Sequence, residues 1–189
     1  MPIQATDLLA QSNWQRIDAV LPRTQAAACA LPGAPRQLLV FGGEIGGELD
    51  DTSLSLGSAG VQVLRPANPP PPRRGHCLAY DPLRNQAVLF GGEDALSTMG
   101  DTWTFDGVQW SQANLQNAPS PRTGSTFAYC GQLQRLVLCF GRRGTVLSDE
   151  TWTWDGAIWA LQTHAMRPSA NELAMVTAPP PITRSEEHT

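Results

Sequence analysis

The sequence predicts an all-β chain of repeated four-stranded antiparallel units, and three observations predict it. Two near-copies, DTWTFDGVQW at 101–110 and ETWTWDGAIW at 150–159, stand 49 positions apart. Other landmarks keep that period: Phe41-Gly42-Gly43, Phe90-Gly91-Gly92 and Phe140-Gly141-Arg142, and also Arg23, Arg73 and Arg122, each directly after a proline. Within each period the chain reads as short apolar or alternating runs separated by turn residues, the pattern of strands.

In chain order, SNWQRI (12–17) reads as the outermost strand of a preceding unit, because Trp14 precedes Pro22-Arg23 as Trp110 precedes Pro121-Arg122. Three full units follow, at 22–64, 72–112 and 121–161. The middle one is the clearest. HCLAYD (76–81) is a strand ending in Asp81-Pro82, a turn opener. QAVLFGG (86–92) is an apolar run covered on both faces, closed by glycines that admit backbone angles a side chain forbids. The opening decapeptide is a hairpin whose Asp106-Gly107 predicts a two-residue turn. That turn sets Phe105 opposite Val108, Thr104 opposite Gln109 and Trp103 opposite Trp110. Its counterpart sets Trp154 opposite Ala157 and Trp152 opposite Trp159. The first unit replaces this hairpin with DTSLSLGSAGVQVL (51–64), with Leu54 and Leu56 and a longer turn, so poorer aromatic packing is expected. The third unit carries Arg142 where a second glycine is expected.

The fourth unit opens with Asn171 in place of arginine, and 171–177, containing ELAMV, is an innermost strand without the rest of its unit. The last six residues, RSEEHT (184–189), match the translation of a common sequencing-library adapter and are expected not to be native. On that reading the repeat-bearing segment is 1–183, and the source gene continues past Pro181. A four-stranded unit cannot bury its two faces alone, so copies must pack on one another. At this repeat length the radial solution is a β-propeller, of which three units are an incomplete set.

The residues quoted above resemble the Kelch-repeat family: Pro-Arg before the first strand, the apolar run closed by Gly-Gly, the acid-Thr-Trp opening, and the Trp of the fourth strand. The likeness runs over about residues 14 to 176. It implies four-stranded antiparallel blades with the Arg-led strand innermost, lining a central channel.

Composition narrows function. The chain has 189 residues, enough for one well-buried domain, and a net charge of −4, which does not favour nucleic acid as a partner. All 13 basic residues are Arg, a bias that with abundant Ala, Pro and Gly reflects a GC-rich coding sequence. No leader or membrane span is visible, which leaves the cytoplasm as the default compartment. Cys29, Cys77, Cys130 and Cys139 lie in or beside apolar runs and read as buried free thiols.

Catalytic signatures such as a nucleophile elbow, a P-loop or a zincin motif do not occur, and no cofactor is expected. GRRG (141–144) occupies the glycine position of a unit and reads as a loop; His76 reads as a channel or core residue, and His164 as linker. Asp51, Asp101 and Glu150 share one repeat position, which argues for a structural job done once per unit. Arg23, Arg73 and Arg122 open innermost strands, and the resemblance implies that arginines at such entries rim the channel and meet acidic partner segments. Fixed repetition favours instead a structural tie from each blade to its neighbour through an acid or carbonyl, while Arg74 doubles Arg73 in one unit only. The favoured reading is a non-enzymatic scaffold for a protein or acidic peptide, with Arg23, Arg73, Arg74 and Arg122 as candidate binding residues. The alternative is a sugar-binding or sugar-acting propeller, since Kelch-like folds include copper oxidases and a sialic-acid epimerase. A purely structural module of a larger secreted or surface protein is a third reading. Tyr80 and Tyr129 occupy equivalent positions with only His76 near them in sequence, too few ligands for copper.

Overall fold

The computed structural model describes residues 22–32, 37–58 and 60–162. The expected strands at 12–17 and 171–177, His164, and the tail 184–189 with His188 lie outside the described residues. Among those residues the chain is strand and turn, without a helix.

The first sheet uses β1 (Ala27–Leu31) and β2 (Gln37–Phe41), then a small hairpin of β3 (Glu44–Ile45) and β4 (Glu48–Leu49), then β5 (Ser53–Gly57) and β6 (Gly60–Leu64). Its order is β1-β2-β5-β6. The second contains β7 (Cys77–Asp81), β8 (Gln86–Phe90), β9 (Thr102–Phe105) and β10 (Trp110–Ala113), in chain order across the sheet. The third repeats the plan of the first. It has β11 (Thr126–Cys130) and β12 (Arg135–Cys139), a hairpin of β13 (Arg142–Arg143) and β14 (Val146–Leu147), then β15 (Thr151–Trp154) and β16 (Trp159–Gln162). Every pairing is antiparallel.

Strand alternation sorts the core into two layers. Cys29, Leu39 and Phe41 of the first sheet meet Leu78, Leu89, Trp103, Phe105 and Trp110 of the second. On the other side of the second sheet, Cys77, Ala79, Val88 and Phe90 meet Leu136, Leu138, Trp152, Trp154 and Trp159 of the third. The middle strand β8 is therefore covered on both faces, as its unbroken apolar run requires: Ala87, Val88 and Leu89 have no exposed surface. Each junction sets a face of aliphatic and small residues with one phenylalanine, Phe41 or Phe90, against a tryptophan-rich face, so the stack has a direction. Trp110 lies edge-on to Phe41 with ring centroids 5.2 Å apart, and Trp159 does the same to Phe90 at 5.4 Å.

The hairpin register differs from the expected one. Trp110 stands opposite Phe105 and Trp159 opposite Trp154, while Trp103 faces Gln112 and Trp152 faces Leu161. The cause is the aspartate. Asp106 Oδ1 accepts from the amides of Val108 and Gln109, both at 2.8 Å, and Asp155 Oδ1 accepts from Ala157 and Ile158 at 3.0 Å. These bonds hold a four-residue turn in which only the glycine, Gly107 at φ +100° or Gly156 at +98°, takes a left-handed angle. A type I′ turn needs both central residues there. In the first sheet the correction runs the other way: Gly57 pairs with Gly60, so that turn is shorter than those of its counterparts, not longer.

Candidate functional site

The Pro-Arg step recurs because the arginine is a bolt. Arg73 is fully buried, and its guanidinium donates to Asp101 Oδ1 (2.6 Å) and Oδ2 (2.8 Å), to the Gly91 carbonyl (3.0 Å) and to the Pro71 carbonyl (3.1 Å). Arg122 repeats this with Glu150, the Phe140 carbonyl (3.2 Å) and the Ser120 carbonyl (2.9 Å), and adds Ser148 Oγ (2.7 Å). The acid-Thr-Trp spelling completes the network. Two residues on, the indole N–H of Trp103 or Trp152 returns along the same strand face to the same carboxylate, at 2.6 and 3.0 Å. Burial pushes the Asp101 carboxyl up, but the Arg73 bonds and charge, with the Trp103 bond, outweigh it and hold the group below its ordinary range. Arg122 and Trp152 hold Glu150 down in the same way.

In the first sheet the partner is Asp50, 2.9 Å from Arg23, and not Asp51, which is exposed. Backbone bonds explain the offset. Gly42, Gly91 and Phe140 donate to the carbonyls of Thr52, Asp101 and Glu150, so Thr52 holds the acid's backbone place. The acid has moved two residues upstream, and Thr52 Oγ1 donates to it at 2.7 Å.

The same accounting corrects the glycine pair of the third unit. Phe140 (φ +63°) and Gly141 (+99°) match Gly42 (+63°) and Gly43 (+94°), and also Gly91 (+69°) and Gly92 (+101°). The third unit therefore keeps its second glycine as Gly141, puts phenylalanine at the first, and places Arg142 where Glu44 and Glu93 stand. Isolated bridges confirm that last equivalence: Thr24 with Glu44, Arg74 with Glu93, Thr123 with Arg142.

Arg74 differs from the bolts. It is about one-third exposed and spans two sheets, bonding Glu44 of the first at 2.5 Å and Glu93 of its own at 3.1 Å. Of the four arginines singled out in the sequence, two are thus enclosed, Arg23 is mostly enclosed, and only Arg74 offers substantial surface. A further junction contact was invisible in the sequence. The indole N–H of Trp110 donates to Ser53 Oγ (3.0 Å) and that of Trp159 to Thr102 Oγ1 (2.9 Å), each across the inter-sheet core.

His76 is a core residue. Its Nε2–H donates to the Phe41 carbonyl at 3.1 Å, and buried Nδ1 has no partner among the described residues. Burial, reinforced by the Arg73 charge, lowers its pKa to about 4. The unfolded chain therefore takes up this proton first as pH falls. Stability should be complete above pH 6.5 and decline by about 3 kcal/mol between there and pH 4. Urea melts across that interval should show the slope in the parent and lose it in His76→Leu; a slope kept by the variant would assign it elsewhere.

The thiols are free, and Cys130 is half-buried where the other three are buried. Tyr80 is bonded to Asn85 (2.6 Å), and among the described residues no three His, Cys, Asp or Glu side chains gather in a metal-holding group.

Exposed chemistry collects in the segments after the second strand of each unit. In the first, the hairpin holds Glu44 and Glu48. In the second, Asp94 caps a turn through the amides of Leu96 and Ser97. In the third, Arg142, Arg143, Val146 and Leu147 are all exposed, beside exposed Phe140. Sequence reasoning read 141–144 as a loop and did not single out Phe140, Val146 or Leu147 as site residues.

Fold and junctions together define an all-β repeat protein of directionally stacked four-stranded sheets. No family model and no curated protein matches the chain.

Proposed function

We propose that the three sheets are consecutive blades of a Kelch-type β-propeller that serves as a non-enzymatic binding scaffold for a protein or peptide. One observation carries the reading. The residues that repeat are consumed in holding the sheets and their junctions, whereas the segments at 44–49, 93–99 and 142–147 differ in charge and shape and face solvent. Rigid repeats with variable connecting loops are how scaffolds acquire partners. The blade-type supports are the four-stranded order of each sheet and the first strands of successive sheets lying side by side, joined by Gly75 N–H to Gln25 O (3.0 Å) and Gly124 N–H to Gly75 O (2.9 Å).

The test is selection of a random peptide library on the immobilised chain, repeated with 93–99 and 142–147 replaced by Gly-Ser segments of equal length. Enrichment of a consensus by the parent, lost in the loop variant at unchanged far-UV circular dichroism, is expected. Absence of any consensus, or its survival in the loop variant, overturns the reading.

A further inference from the structure

We infer that the β13–β14 hairpin of the third sheet, with Phe140, is a docking surface for an extended acidic segment carrying apolar side chains; this rests on the scaffold reading and names the partner class. In the equivalent hairpin of the first sheet the corresponding residue, Glu44, is bonded by Arg74 of the next unit. In the third sheet the charge is reversed to Arg142, followed by Arg143, and neither guanidinium makes an ion pair among the described residues. The pairing Arg142–Leu147 and Arg143–Val146 puts one cation and one aliphatic side chain on each face of the ribbon. Leu147 is 80 % and Val146 70 % exposed.

Phe140 is an independent pointer. It holds φ +63° where the other two units have glycine, and it keeps 54 % of its surface in water. A bulky residue in the left-handed region costs roughly 1–2 kcal/mol, which exposure does not recover. Strain retained without burial is characteristic of a contact made to something else. Two cations on a chain of net charge −4 select an acidic partner, and the aromatic with two aliphatics selects one with apolar side chains. An anionic membrane fits less well. The tip of the hairpin is Gly144-Thr145, with the apolar residues set back on its arms, where a flat surface reaches them last.

The full chain is titrated with a synthetic peptide alternating Glu and Leu, with its Gln/Leu analogue, and with phosphatidylserine vesicles. The Glu/Leu peptide is expected to bind at least tenfold tighter than the Gln/Leu analogue. Arg142→Glu with Arg143→Glu should remove that preference. Phe140→Gly should leave the melting temperature no lower while weakening the peptide several-fold. Equal affinity for the two peptides, an unchanged preference in the double variant, or vesicle binding as the only interaction the double variant removes would each overturn the inference. If the double variant retains every peptide that library selection enriches, this site falls and the scaffold reading stands. If selection enriches nothing, the scaffold reading falls as well.

Discussion

Replacing Gly91 with alanine is expected to cost the fold at least about 3 kcal/mol, well beyond the usual effect of a point change. Gly91 sits at φ +69°, and a Cβ there would lie 2.5 Å from the Arg122 carbonyl and 3.4 Å from that of Met99. Both obstacles are backbone, so neither can swing aside. Left-handed geometry alone costs an alanine about 1–2 kcal/mol; the rest comes from pushing the second and third sheets apart at a point where Gly92 N–H donates to Arg122 O at 3.0 Å. Gly107 is the control. Its φ is +100° and nothing lies within 4 Å of its notional Cβ, so Gly107→Ala should show the conformational cost alone. Urea denaturation of the two variants should separate them by more than 1 kcal/mol; equal losses would mean that the close approach at Gly91 is not part of the fold in solution.

Arg73→Met is expected to be comparably damaging, by about 3–5 kcal/mol, because it strands a carboxylate against the core. The Asp101 side chain is 21 % exposed and, with Arg73 gone, loses its charged partner and keeps the Trp103 bond. Arg122→Met should cost less: Glu150 is 40 % exposed and better able to recover water. Adding Asp101→Asn to Arg73→Met should return part of the loss, the signature of coupling in a double-mutant cycle. The pH dependence has a definite sign. A carboxylate depressed by its partner stabilises the fold above its ordinary pKa and loses that contribution as pH falls through the lower folded value. The parent should therefore weaken in acid below the ordinary aspartate range. Arg73→Met should weaken less there, since protonation relieves the stranded charge. Equal stability of parent and Arg73→Met at pH 7 would remove the arginine from the structural account.

Much of this architecture was legible because a repeat reports the same physical demand several times. The strands, their four-fold grouping and the enclosure of β8 all follow from the 49-residue spacing and from the apolar run QAVLF. What escaped depended on which of two near-equal local solutions the backbone adopts. Asp-Gly permits a two-residue turn, but Asp106 instead spends its carboxylate on two amides, and that choice moves Trp110 from Trp103 to Phe105. Asp50 and Asp51 are adjacent acids, and only the bond from Thr52 and the reach to Arg23 show which one the bolt uses. In the third unit Phe-Gly-Arg invites alignment by its phenylalanine. The torsion angles reassign it by one residue, which turns an ordinary strand end into a strained, exposed aromatic. Burial separates the four candidate arginines, which the sequence could not do. A repeated Pro-Arg step looks the same in sequence whether its guanidinium faces a partner or its own carboxylate.

The directional stack also bears on how such a chain changes length. Among the described residues the junction contacts join nearest neighbours, Trp110 reaching back to Ser53 and Trp159 to Thr102, while the Arg73 and Arg122 guanidiniums close within their own units. A tandem duplication that copied one whole period would give the new sheet a hydroxyl to offer forward and an indole to offer back. The number of sheets can thus drift by recombination while each weld stays chemically intact, and the solvent-facing loops are free to diverge one copy at a time.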